Sequence, residues 1–143
     1  MRLWPLAIID LLPDKQLLGQ HRECCALRGN GWGRKHSTVD YVFSHPYWWL
    51  YMYHMCVMEE MRHRRFNVSS EWRVLQYRGV HVGVDLTQFT HSPENAINTV
   101  LRTPHNLLKV YPEHNGDYID SCVRNLKQKG VVIDTTLILE EYR

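Results

Sequence analysis

The stretch Gln16–Arg28 reads QLLGQHRECCALR, and its apolar residues recur at the spacing of an amphipathic helix. Asp14 is placed to cap the start of this helix, and Gly29, followed by Asn30-Gly31, ends it. The apolar positions that predict its buried face are Leu17, Leu18, Cys24, Cys25 and Leu27. The pattern predicts a helix from about Asp14 to Arg28, and Arg22-Glu23 is the pair on its charged face that we expect to carry chemistry.

The composition is that of a globular protein. The 143 residues suffice for one domain with a real core, and 44% apolar and 22% charged residues are ordinary values. The opening MRLWPLAIIDLLP is short, is interrupted by Pro5 and Asp10, and lacks a small-residue cleavage site, so we do not interpret it as a signal peptide. No apolar run approaches the roughly 20 residues of a membrane-spanning helix. We therefore expect a cytoplasmic protein with no membrane partner.

Further helices are predicted along the chain. His45-Pro46 opens the longest helical stretch, to about Arg65, because proline is favourable at the first helical position. The remaining helical predictions are a short helix capped by Ser37 or Thr38 and running through Phe43, one over Pro93–Arg102 that begins at Ser92-Pro93-Glu94, and one that begins at Asn115 or Asp117 and runs through Lys129. Weaker strand patterns lie at Val80–Leu86 and Val131–Leu139. The prediction is a compact, mainly α single domain over residues 1–143, with room for a small β hairpin in its C-terminal half.

Basic residues concentrate in the first part of the chain. The net charge is +2, with +4 on residues 1–80 and −2 on residues 81–143. Two interpretations of this asymmetry stay open: a basic surface that faces phosphates, or a chance distribution of solvated side chains. The loop GNGWGRK, residues 29–35, places Trp32 next to Arg34 and Lys35. An aromatic ring with two cations suits a nucleic-acid backbone or an unstacked base, and the alternative is a plain loop with Trp32 in the core.

Three kinds of group are candidates for chemistry. Glu23 is a candidate general acid or base and Arg22 a phosphate ligand, although such pairs are most often surface decoration. The α-amine of Met1 has an ordinary pKa of about 7.7–8.0 and is nucleophilic near neutral pH, provided that the fold brings it to Glu23. His21 with Cys24 and Cys25 offers local metal ligands, but the sequence places no second pair, so we predict no metal and no cofactor.

Short motifs in the first half resemble the pyrimidine-dimer DNA glycosylase/AP lyase family of the bacteriophage endonuclease V type. Arg2 follows the first residue, LLGQHRE at 17–23 resembles the first helix of that family, and EEMRHRRFNV at 59–68 resembles the end of its long helix. The block from LLGQHREC through GNGWG looks closer still to a bacterial branch attached to the family. The resemblance covers roughly residues 1–78 and leaves 79–143 as a C-terminal extension.

The resemblance implies a helical domain that acts on damaged double-stranded DNA without a metal. In that family the N-terminal amine attacks C1′ of the damaged nucleotide, the resulting imine undergoes β-elimination, and a first-helix Glu shuttles protons. Arg residues hold the phosphates of the kinked duplex, from which an opposing base is extruded. Carried over, Met1 supplies the amine, Glu23 the carboxylate, and Arg2 and Arg22 the phosphate contacts. The family carries a further Arg three residues past the Glu; this chain has Ala26 there, with Arg28 as the candidate substitute. From the basic loop, Arg34 and Lys35 join the predicted phosphate-binding set.

Two other functions stay open at this point. The same scaffold would serve as a nucleic-acid-binding module without lyase activity, which requires a basic cleft but no amine beside Glu23. An unrelated small-molecule enzyme would use a closed aromatic pocket at Glu23 without phosphate-binding charge.

Overall fold

The computed structural model describes residues 2–29, 38–87, 109–136 and 138. These residues form four α-helices, which are α1 (Leu6–Ile9), α2 (Asp14–Arg28), α3 (Tyr47–His63) and α4 (Gly116–Gln128), and two 3-10 helices, Asp40–Ser44 and Ser70–Arg73. The described chain is mainly helical and compact, which confirms the predicted fold class. None of its described helices combines the length and the apolar character needed to cross a bilayer. The predicted helix Pro93–Arg102 lies outside the described residues.

The core lies between α2 and α3, which pack against each other. The buried side chains of α2 follow one stripe at helical spacing, Leu17, Gln20, Cys24 and Leu27, and α3 faces it with Leu50, Tyr53, Val57 and Met61. Helix α1 packs on α3, and α4 adds Ile119, Cys122 and Leu126 to the same core. The four cysteines of the chain are free thiols.

The helix boundaries confirm the sequence pattern more closely than the caps do. Helix α2 spans the predicted range, but the cap assigned to Asp14 is wrong, because Pro13 precedes the helix and Asp14 is its first residue. An acid in the first turn still interacts favourably with the helix dipole. The predicted cap at Asn115 is confirmed, since its Oδ1 accepts a hydrogen bond from the Tyr118 amide at 2.9 Å. The 3-10 helix at Asp40 follows Val39 without a side-chain cap.

Gly29, at the end of α2, is needed for a close approach between two segments. A Cβ atom on this residue would lie 2.9 Å from the Arg78 carbonyl oxygen, which is closer than two such atoms can come. The loop after Trp72 therefore packs directly on the end of α2.

Both strand predictions are wrong for the described residues. In Val80–Leu86 the only pairing is one antiparallel bridge between Tyr77 and Val84, because Gly79 and Gly83 have positive φ angles and fold the segment into a tight turn. Val80 is 88% exposed, so no second layer covers the apolar alternation that suggested a strand. In residues 131–136, the carboxylate of Asp134 accepts hydrogen bonds from the backbone and hydroxyl of Thr136 and starts a helical turn.

Candidate active site

The backbone of Arg2 is hydrogen-bonded to Glu23. The Arg2 amide donates a hydrogen bond to Glu23 Oε2 at 3.1 Å. Gln20 reinforces this contact, because its Nε2 donates to the Arg2 carbonyl at 3.1 Å and to Glu23 Oε2 at 3.4 Å, while its Oε1 accepts from the Trp4 amide at 2.6 Å. The backbone at Arg2 is therefore held next to the carboxylate on which the predicted chemistry depends.

Gln20 is a positioning residue that sequence reasoning missed. Its side chain is buried, and the single O–H of Tyr53 is shared between two acceptors, Gln20 Oε1 at 2.9 Å and the Trp4 carbonyl. The signal was present in the sequence, since Gln20 is the polar member of an otherwise apolar helical stripe. A buried amide has to find hydrogen-bond partners, and here the partners are the N-terminal backbone and Glu23.

Two cavities flank Glu23, and both also touch Trp4 and Lys129. The larger, of about 370 Å³, is lined by the helical and N-terminal residues Trp4, Lys15, Gln16, Gly19, Gln20, Arg22, Glu23 and Lys129. The smaller, of about 190 Å³, is lined by Arg2, Trp4, Glu23, Thr38, Asn125 and Lys129. Glu23 thus stands on the wall between two spaces, one on the α2 side and one on the α4 side.

The larger cavity is rich in positive charge. Lys15, Arg22 and Lys129 line it, and among the described residues of its lining Glu23 is the acid. Lys129 Nζ lies 5.5 Å from the centre of the Trp4 ring. Cations gathered around a concave surface raise the local concentration of anions, so this cavity favours a phosphate-bearing ligand. Lys15, Trp4 and Lys129 were not singled out in the sequence, because no local motif contains them.

The predicted phosphate ligands occupy different environments. Arg22 is exposed and lines the larger cavity, and Arg2 lines the smaller one. The Arg2 guanidinium also reaches α4, where Nη1 donates to Ser121 Oγ at 3.4 Å and the group lies 5.8 Å from the Tyr118 ring centre. Met1, Arg34 and Lys35 lie outside the described residues.

Arg28 is fully buried and its donors are used inside the protein. Its nitrogens donate to Tyr47 Oη at 3.0 Å, to His54 Nδ1 at 2.8 Å, and to the carbonyls of Trp72, Val74 and Tyr77 at 2.7–2.9 Å. A guanidinium has five N–H groups, and these five contacts account for them. We therefore leave Arg28 out of the phosphate-binding set and assign it to the joint between α2, α3 and the segment after Trp72.

The contact with Arg28 fixes the protonation of a histidine pair. Since a guanidinium only donates, His54 Nδ1 must be an acceptor, and the ring proton of neutral His54 is on Nε2. That nitrogen lies 2.8 Å from His21 Nδ1 and donates to it. Burial, Arg28 and His21 all lower the pKa of His54 well below its ordinary value, so the ring is neutral in the fold. Arg28, His54 and His21 form one directed hydrogen-bond chain.

The ring atoms of this pair also belong to a possible ligand set. The ligand atoms of His21, Cys25 and His54 lie within 4.8 Å of one another. The sequence suggested Cys24 as the third member of this set, but Cys24 is buried in the core and His54 is the third member instead. A metal-bound histidine normally donates its other N–H to an acceptor. The other nitrogen of His54 faces a guanidinium, and burial raises the pKa of the Cys25 thiol to about 11. The group therefore fits a hydrogen-bond chain better than a metal centre.

The buried histidines predict a stability that falls in acid. His54 is neutral, and burial, with Lys109, lowers the pKa of His114 to about 3. In the unfolded chain both take up a proton near pH 6.5, so the unfolded state binds more protons below that pH. We expect the free energy of unfolding to fall below about pH 6.5, with a slope that approaches about 1.4 kcal/mol per pH unit for each of the two residues near pH 5.

Urea unfolding across this pH range measures the slope. His114→Gln should remove one residue's share of it, whereas substitution of the exposed His63 on α3 should leave it unchanged. A flat profile below pH 6.5 in the wild-type protein would contradict the assignment of neutral buried rings.

Comparison with known proteins identifies the first half of the chain. Residues 1–74 match a family model described as pyrimidine dimer DNA glycosylase. No curated protein matches the chain. No solved structure matches it either. The matched range contains Arg2, Arg22 and Glu23, whereas Asn125 and Lys129, which complete the cavities, lie beyond it.

Proposed function

Because the chain belongs to the pyrimidine dimer DNA glycosylase family, we propose that it excises a damaged base from duplex DNA and cleaves the strand through an imine on its N-terminal amine. Glu23 is the acid/base of this reaction. The cations of the larger cavity, Lys15, Arg22 and Lys129, together with Arg2, hold the phosphates that flank the damaged nucleotide.

One observation carries the proposal, namely the 3.1 Å hydrogen bond from the Arg2 amide to Glu23 Oε2. The Met1 α-amine is joined to that amide nitrogen through three covalent bonds. A fold that fastens Arg2 to Glu23 through Gln20 therefore supports an amine that works in the neighbourhood of this carboxylate. An N-terminal amine needs such a neighbour, because its proton must be removed before attack and returned to the reaction afterwards.

The N-terminal amine, Glu23 and water account for every bond and proton of the proposed reaction. The neutral amine attacks C1′, the glycosidic bond breaks, and the base departs with a proton. Loss of the remaining amine proton gives the imine as the sugar ring opens, with Glu23 accepting and returning protons. Abstraction of a C2′ proton then expels the 3′ phosphate by β-elimination, and water releases the sugar fragment from the amine. Glu23, as a carboxylate, also stabilises the cationic intermediates.

Borohydride trapping tests the proposal. The protein is incubated with labelled duplex DNA that carries a thymine dimer or an abasic site, and sodium borohydride reduces any imine to a stable adduct. We expect a covalent adduct with wild-type protein and none after the α-amine is acetylated. Digestion before Asp10 yields the N-terminal peptide, and its mass shows which nitrogen carries the sugar.

The outcomes separate the proposal from its alternatives. An adduct on a lysine side chain, such as Lys129, overturns the assignment to the α-amine. Salt-sensitive binding of duplex DNA without an adduct favours the non-catalytic binding module, since phosphate contacts weaken steeply with salt. Neither adduct nor binding would leave the small-molecule enzyme as the better explanation of the Glu23 cavities.

A further inference from the structure

The smaller cavity contains a buried oxygen without a hydrogen-bond partner among the described residues. Asn125 projects from α4 into the space that Arg2, Trp4 and Glu23 also line, and its Oδ1 is buried and accepts no hydrogen bond from the described part of the chain. Nearly all buried side-chain polar atoms in folded proteins are paired, because an unpaired one destabilises the fold. An acceptor of this kind on the wall of a cavity is available to a ligand that donates a hydrogen bond.

The neighbourhood limits what that donor is. A DNA phosphodiester carries no proton at neutral pH and only accepts hydrogen bonds, so an amide oxygen is a poor partner for it. The cations of the larger cavity already suit such phosphates. A nucleobase, by contrast, presents N–H donors beside acceptors on its Watson–Crick edge, and thymine has such a donor at N3. When the base opposite the lesion is extruded, as the resemblance implies, this edge of the damaged pyrimidine loses its partner, and a side-chain acceptor can replace the lost base.

We propose that Asn125 is a specificity-determining residue that accepts a hydrogen bond from the pyrimidine N–H of the lesion held at Glu23. This inference rests on the proposed function and adds to it the group that recognises the base. It places lesion recognition on α4, outside the region that matches the family model, while the acid/base lies on α2 within it. Of the two cavities that meet at Glu23, the larger then binds phosphate, and the smaller recognises the base through Asn125 beside the phosphate-binding Arg2.

The test compares a substrate that has the base with one that lacks it. The Asn125→Leu variant removes the acceptor with little change in volume, and single-turnover rates are measured on thymine-dimer duplex and on abasic duplex. We expect the ratio of the dimer rate to the abasic rate to fall by about tenfold, the effect of one hydrogen bond that the abasic substrate cannot make. Asn125→Asp keeps an acceptor oxygen and should retain more of the dimer rate than Asn125→Leu.

Stability provides the second measurement. Because the oxygen has no partner within the described part of the protein, Asn125→Leu should leave the thermal midpoint unchanged or raise it. Gln128→Leu, an exposed amide on the same helix, is the matched control and should change neither the ratio nor the midpoint. A ratio within twofold of wild type, or an equal loss on both substrates with a lowered midpoint, overturns the role of Asn125. A wild-type protein inactive on both duplexes overturns the proposed function and this role together.

Discussion

Glu23→Gln should lower the rate of strand cleavage by at least about 100-fold, which is the lower range for a general acid/base. Glutamine keeps an oxygen that accepts the hydrogen bonds from the Arg2 amide and Gln20, so the N-terminal segment should stay in place. It loses the negative charge that stabilises the cationic intermediates and the capacity to take up a proton. The measurement is single-turnover cleavage of abasic duplex, with circular dichroism to establish that the fold is retained.

The matched control is Glu59→Gln, because Glu59 is an exposed carboxylate on α3 that pairs with Arg62 and lines neither cavity. Its substitution should leave the cleavage rate within a factor of two. If Glu23→Gln retained more than a third of the wild-type rate, the carboxylate would be a structural anchor for Arg2, and the acid/base would have to be sought elsewhere.

Arg28→Met should lower the free energy of unfolding by about 3–5 kcal/mol, which is typical of the loss of one partner from a buried charged network. The substitution leaves the carbonyls of Trp72, Val74 and Tyr77 without their donor, and it frees His54 Nδ1. Lysine does not replace this arginine, because three donors on a flexible stem cannot serve five acceptors in fixed directions. Urea unfolding gives the free energy, and limited proteolysis after Trp72 shows whether that segment has detached.

Arg62→Met on the exposed face of α3 controls for the loss of a positive charge and should change the free energy of unfolding by less than about 0.5 kcal/mol. If Arg28→Met lowered the free energy of unfolding by less than about 1 kcal/mol, the desolvation of the buried guanidinium would nearly offset the stabilisation by its hydrogen bonds. Activity measured on the surviving folded fraction should remain, since Arg28 does not line either cavity.

Local patterns in the sequence predict the helices because the determinants of a helix lie within it. The apolar stripe of α2 and the cap at Asn115 both act over three to seven residues, and both are found in the structure. Val80–Leu86 shows where such reasoning fails. Its alternation is that of a strand, but two glycines turn the chain and the valines stay exposed in the described structure. The local pattern carries no information on whether another layer covers these valines.

The residues of the candidate site likewise divide into those that a local motif identifies and those that only the fold brings together. Glu23 and Arg22 were identified from a short motif, and the structure places both at the larger cavity. Arg28 was grouped with them because it is a cation at a helix end, yet its acceptors lie 19–49 residues further along, so its burial was not visible locally. Asn125 and Lys129 belong to the site only because α4 folds back on the N-terminal segment.

The tie between Arg2 and α4 also bears on the order in which a new chain matures. Arg2 is synthesised 119 residues before Ser121, which its guanidinium contacts. The smaller cavity, which Arg2 and Asn125 line together, can therefore form only after α4 has been made. A new chain consequently acquires this cavity late, when α2 and α3 are already complete.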